Sequence, residues 1–168
     1  MRLPVTDIQV RQATAADVPE IEAQLVEAAA WVDALGVVMW EEGELERDRI
    51  AAEVAAGQFF IAEVDRVPAG AVRFQLDDQQ FWPDLPPGTS TFVHRLVVRR
   101  RFKGLGVSAV LMQWAVERTR DLGRSHLRLD CDADRDRLRA LYERFGFVLH
   151  SYRQVGAYYV ARYEYRVW

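Results

Sequence analysis

Thr91-Phe92-Val93-His94-Arg95-Leu96-Val97-Val98 runs directly into Arg99-Arg100-Arg101-Phe102-Lys103-Gly104-Leu105-Gly106-Val107-Ser108, and the order of these two runs decides the fold. The first run alternates, with Phe92, His94, Leu96 and Val98 on one face and Val93, Arg95 and Val97 on the other, so it predicts a strand over 91–98. The second is a basic turn with two glycines. Beyond it Val110, Leu111, Trp114, Ala115 and Arg118 recur at helical spacing as far as Gly123. In a strand, tight turn and helix joined this way, the first N–H groups of the helix have no internal partners and form a cradle for phosphate. Lys103 adds charge to it. The glycine spacing is neither GxxxxGK[ST] nor GxGxxG, so a nucleoside-triphosphate or dinucleotide loop is not indicated; a purely structural turn is the competing reading.

Outward from this stretch, 125–131 predicts a second strand, parallel to the first because a helix crosses between them. Asp132 to Asp136 can cap a short helix carrying Leu138, Leu141, Tyr142 and Phe145 and ending at Gly146. The runs 147–154 and 158–168 make a closing hairpin around Gly156. On the amino-terminal side, 8–13 is a short strand, and Thr14 with Asp17 has the spacing of a capping box before the apolar stripe Ile21, Leu25 and Ala28 or Ala29. Leu45, Ile50, Val54 and Ala55 suggest a second, less regular helix ending at Gly57. The segments 59–64 and 69–76 form an antiparallel hairpin about Asp65-Arg66-Val67-Pro68. A polar, proline-rich loop containing Phe81 and Trp82 leads back to residue 91. The predicted order is β α α β β β α β α β β, an α/β (α+β) chain read as a single domain over 1–168.

With 168 residues, half of them hydrophobic, the chain can bury a core without a metal or disulfide. Its single cysteine, Cys131, excludes an internal disulfide framework and a CxxC site. The amino terminus has no apolar run after its basic residue, and no 18-residue apolar stretch occurs, so a cytoplasmic protein without a secretion signal or membrane partner is expected. The net charge of −3 hides a polarity. Residues 1–90 hold 6 basic and 17 acidic side chains, and residues 91–168 hold 16 basic and 8 acidic ones, a split of −11 against +8. Lys103 is the one lysine among the 22 cationic residues. Either this asymmetry is spread over a solvated surface, or the second half builds an anion site.

The stretch Phe102-Lys103-Gly104-Leu105-Gly106-Val107-Ser108 resembles the acetyl-coenzyme A loop of the GCN5-related N-acetyltransferase (GNAT) superfamily, whose signature is [Q/R]-x-x-G-x-[G/A]. Arg101-x-x-Gly104-x-Gly106 matches it literally; Lys103-x-x-Gly106-x-Ser108 departs at both ends. The second register is preferred for its aromatic-basic-glycine run four residues after the valine of the strand. Leu141-Tyr142-Glu143-Arg144-Phe145-Gly146-Phe147 is similar to the L-Y-x-x-x-G-F segment of the family and is the more specific signal. Where the family commonly has asparagine, seven residues before this tyrosine, stands Arg135.

The resemblance implies a mixed, mostly antiparallel sheet of about seven strands with four helices and a splayed central parallel pair. It implies acetyl-CoA as acyl donor, with the pantetheine arm on the backbone of Leu96, Val97 and Val98. The diphosphate would lie over Lys103, Gly104, Leu105, Gly106, Val107, Ser108 and Ala109, with Arg135 nearby. A primary amine of a small molecule or peptide would attack the thioester directly, with no metal. Tyr142, a phenol protonated at neutral pH, is the candidate acid for the departing thiolate. His94 is a candidate base, against a hydrogen-bonded core histidine as the alternative; Glu41, Glu42, Glu44 and Asp77 are others. Trp31, Trp40, Asp77 and Trp82 are candidate acceptor-side residues, the acidic run near Glu41 favouring a cationic amine. The rival class is a non-catalytic acyl-CoA sensor. A nucleic-acid-binding module ranks lowest, since the arginines alternate with apolar positions and form no recognised motif. The terminal strand is compatible both with pairing across a two-fold axis in a homodimer and with an internal sheet position.

Overall fold

The structure, a computed structural model, describes residues 6–33 and 46–168; Trp40, Glu41, Glu42 and Glu44 lie outside them. Among the described residues, seven strands and four helices follow in the predicted order. They are β1 (Ile8–Gln12), α1 (Val18–Asp33), α2 (Arg47–Ala55), β2 (Phe59–Val64), β3 (Val67–Gln75) and β4 (Ser90–Val98). Then come α3 (Val107–Asp121), β5 (His126–Asp132), α4 (Asp136–Phe145), β6 (Val148–Val155) and β7 (Tyr158–Arg166). The sheet order is β1-β2-β3-β4-β5-β7-β6, mostly antiparallel with β4 and β5 as the parallel pair. Among the described residues no helix is long and apolar enough to cross a membrane.

The chain divides into two compact units, one of residues 1–73 and 95–112, the other of 74–94 and 113–168, so β4 and α3 each run from one unit into the other. In the first unit Val18, Ile21 and Leu25 line one face of α1 at helical spacing. They meet Ile50 and Val54 of α2, Phe59 and Ile61 of β2, Ala71 of β3 and Val97 of β4 in one buried cluster. Asp17 anchors the start of α1: its carboxylate accepts the Thr14 N–H at 2.8 Å and two N–H groups of Arg11 at 2.8 Å. The β2–β3 hairpin is tighter than the four-residue turn expected. Asp65 and Arg66 take φ of 48° and 68°, the two left-handed centres of a two-residue turn, and Val64 pairs with Val67. Pro68 is thereby drawn into the strand, opposite Glu63 at a register shift, where its missing N–H is tolerated.

In the second unit β5 pairs with β7 and β7 with β6. Of the two positions left open for the terminal strand the internal one is found, with β6 at the edge. The parallel ladder of β4 and β5 comprises Ser90↔His126, Thr91↔Leu127 and Phe92↔Arg128. The loop between β3 and β4 is clamped at both ends. Arg124 donates to the carbonyls of Leu76 and Ser90 at 2.6 and 2.7 Å. Arg162 grips Asp84 at 2.8 and 3.1 Å and the Phe81 carbonyl at 3.1 Å.

Candidate functional site

The first unit supplies the turn from β4 into α3. Gly104 and Gly106 both have φ of 83°, a conformation that L side chains rarely adopt, which is why glycines stand there. A Cβ added to either would meet nothing within 4 Å, so the turn is open above its backbone. The Val110 N–H is the first bonded inside the helix, to the Gly106 carbonyl at 3.0 Å; those of Val107, Ser108 and Ala109 belong to the unbonded first turn. Lys103, Leu105 and Ala109 are exposed, Ser108 is half-buried, and Val107 packs inward. Arg99 is committed elsewhere, bound to Glu20 at 3.1 Å and to Glu27 at 2.6 Å of α1. Arg100 lies over the Trp31 ring at 4.2 Å, so exposed Trp31 is a support for the arginine run.

Along β4, Arg95 has φ of 51° and breaks the predicted alternation. Its guanidinium is held by Glu53 at 2.9 Å, a buried carboxylate that also binds Arg73 at 2.6 Å. Past this break the Val97 carbonyl faces β3, where a Cβ on Gly70 would lie 2.7 Å from it. The Arg99 N–H likewise bonds the Ala69 carbonyl at 2.7 Å. Because backbone groups alternate along a strand, those of Leu96 and Val98 turn to the other edge of β4. Of the three residues expected to meet an extended ligand, these two carry outward-turned groups.

The second unit holds His94. Its Nε2 is 2.8 Å from Asp78 Oδ2 and its Nδ1 is 3.7 Å from Asp130 Oδ2. Asp78 Oδ1 accepts the N–H groups of Gln80 and Phe81 at 3.1 and 3.0 Å. Burial pushes the Asp78 carboxyl up, but His94 and these two N–H groups outweigh it and hold it below the ordinary value. An ionised Asp78 can only accept, so this contact is a hydrogen bond when Nε2 carries a ring proton. Asp130 differs: burial pushes it up to about 6, only partly offset by His94. Phe81 flanks His94 at 5.8 Å between ring centres.

Tyr142, in α4 of the same unit, is buried against Phe147 at 6.0 Å. Burial, then the fields of Cys131 and Asp130, raise its phenol well above the ordinary tyrosine value, so it keeps its proton at neutral pH. Cys131 is buried and its thiol is pushed up to about 12, which fits the reading of a small core residue. Arg135 is half-buried immediately before α4.

Two expected acceptor-side residues have other surroundings. Trp82 is 2% exposed, with the guanidinium groups of Arg128 and Arg162 over its ring at 5.0 and 4.5 Å, so it anchors the loop. Asp77 is exposed and accepts from Gln79 at 2.9 Å; its neighbour Asp78 is the one directed at His94. Sequence reasoning missed Asp78 and Asp130. The available signal was Asp130 itself, an acid in the central run Leu127-Arg128-Leu129-Asp130-Cys131.

The sequence model of the acetyltransferase (GNAT) family matches residues 24–147. The uncharacterized N-acetyltransferase YesJ of Bacillus subtilis (strain 168) is 32% identical over 138 residues, 78% of this chain and 76% of that one. Among solved structures, a GNAT-family acetyltransferase of Listeria monocytogenes superposes with a TM-score of 0.78 at 23% identity, covering 94% of this chain and 95% of that one. The PaiA N-acetyltransferase of Thermoplasma acidophilum, solved with coenzyme A, superposes with a TM-score of 0.74 at 15% identity, covering 95% and 99%.

Proposed function

Since this chain belongs to the GNAT acetyltransferase family, we propose that it transfers the acetyl group of acetyl-CoA directly to a primary amine of a small molecule or peptide. The observation that carries this is the turn at 103–106. Two left-handed glycines open it, and the first N–H groups of α3 follow it. These are the parts that a diphosphate needs, and in the PaiA neighbour coenzyme A is the bound molecule.

Lys103 to Ala109 would hold the phosphates, with Arg135 as a further cation, and the outward-turned backbone of Leu96 and Val98 would bond the pantetheine arm. Acetyl-CoA supplies an activated thioester carbonyl. The amine must first lose a proton, for which His94 is the base: the N–H bond breaks and its electron pair stays on nitrogen for attack. As the C–N bond forms and the C–S bond breaks, Tyr142 gives its phenolic proton to the departing thiolate sulfur, and the second proton shed by the acylated nitrogen restores the phenol. Phe81 flanks the base, and Trp31 and Trp40 stay as acceptor-side candidates. No metal is assigned a role.

A screen of amine classes with acetyl-CoA, followed by thiol release, tests the reading. Turnover with at least one class is expected, and Tyr142→Phe should lower kcat by about 10²-fold with little change in KM for acetyl-CoA. Coenzyme binding without turnover on any class would favour the sensor reading. Unchanged turnover in the variant would remove the acid role from Tyr142.

A further inference from the structure

His94 and Asp130 occupy equivalent places on adjacent parallel strands. The ladder pairs each residue of β4 with the one 36 further on, ending at Phe92↔Arg128; two residues on, the same register brings His94 beside Asp130. Their facing atoms, Nδ1 and Oδ2, are 3.7 Å apart, close but beyond hydrogen-bond length. Asp130 Oδ2 is buried without a hydrogen-bond partner, and its side chain is 8% exposed. A carboxylate in that position is costly unless some state of the molecule gives it a donor.

The surrounding charges do not provide one. Asp78, from the β3–β4 loop, is another acceptor with its own three bonds. Arg162 of β7 binds Asp84 and Ser151 and reaches Asp130 only through its field. Cys131 of β5 and Tyr142 of α4 keep their protons. Nor do the three side chains make a convincing metal centre, although each has a donor atom within 4.8 Å of the others. Both oxygens of Asp78 are already bonded, which makes it a support for the imidazole and leaves too few ligands.

We propose that Asp78 and Asp130 are positioning residues that act through His94: Asp78 keeps the resting proton on Nε2, and Asp130 pairs with the N–H formed on Nδ1 when His94 takes a proton. That the proton comes from the acceptor ammonium rests on the acetyl-transfer reading. In that step the ammonium N–H bond breaks, its electron pair remains on the amine, and the proton bonds to Nδ1. The resulting imidazolium donates to one carboxylate at each nitrogen.

The test is ¹⁵N-detected NMR of His94 in the full chain, titrated from pH 5 to 9. Wild type should show the Nε2–H tautomer on the basic side. Asp130→Asn should lower the pH at which the ring titrates by about one unit, since a carboxylate favours the imidazolium. Asp78→Asn should mix the two tautomers. In turnover, the acidic limb of kcat/KM should move with the ring titration in Asp130→Asn, with a plateau about tenfold lower. A wild-type Nδ1–H tautomer, or a ring titration unmoved by Asp130→Asn, overturns the proposal, and the first of these needs no variant to fold. If the ring behaves as stated but no amine is acetylated, the three-residue unit stands and the acetyl-transfer reading falls.

Discussion

Tyr142 and Cys131 keep their protons because the same buried surroundings disfavour their anions. For Tyr142 this retains the proton that the proposed acid role requires; for Cys131 it disfavours the thiolate. Iodoacetamide at pH 7 should therefore leave turnover unchanged while Cys131 stays unlabelled in the folded protein, as read by intact mass. Rapid labelling with loss of activity would contradict the inert assignment. At this scale the sequence was legible where a side chain's chemistry is intrinsic, as with a phenol at position 142. It was illegible where chemistry depends on a neighbour from another element. His94 reads as base or hydrogen-bonded core residue, nothing local to it announces the carboxylates of Asp78 and Asp130 at its two nitrogens, and the adjacent Asp77 carries no mark separating it from Asp78.

Strand β4 is the element on which most of the expected site depends, and two devices shape it within the first unit. Glu53 gathers the guanidinium groups of Arg73 and Arg95 in a buried cluster and so holds Arg95 in its left-handed conformation. Gly70 lets β3 approach the Val97 carbonyl. Alternation predicted the strand and its ends, but the break at Arg95 has no local signal, because it is set by a carboxylate 42 residues earlier in the chain. The hairpin at Asp65-Arg66 is tighter than its residues suggest for a related reason: proline usually marks a turn, and only the sheet register makes Pro68 acceptable inside a strand. Gly70→Ala should then be costly at an otherwise helpful position. Its Cβ would sit 2.7 Å from Val97 O and 3.1 Å from Val107. Both β4 and the start of α3 must give way, costing roughly 1–3 kcal/mol. The urea midpoint should fall and KM for acetyl-CoA should rise several-fold, with Tyr142 untouched. A normal midpoint with a normal KM would show that β4 tolerates the shift.

The charge split at residue 90 takes a different meaning in the whole molecule. Arginines of the basic half are spent on acids of the other half inside each unit: Arg95 on Glu53 and Arg99 on Glu20 and Glu27 in one, Arg162 on Asp84 in the other. Lys103 stays exposed on the turn. This internal pairing gives stability a definite pH dependence. Arg11 and Arg162 hold Asp17 and Asp84 at about 2, below the ordinary carboxyl value, so their contribution is present above that value and is lost as pH falls through about 2. Asp130 has the opposite sign. Its folded-state value is raised to about 6, so its ionisation costs little near pH 4, weakens the fold increasingly from the ordinary carboxyl value up to about 6, and stays at its full cost above that. Asp130→Asn should therefore raise Tm at pH 8, on the order of 2 kcal/mol or roughly 4–8 °C, and leave it nearly unchanged at pH 4. The same variant should turn over more slowly, because the charge that weakens the fold is the one awaiting the His94 proton. An equal Tm gap at both pH values would assign the effect to packing, and the stability cost of ionising Asp130 would have to be abandoned.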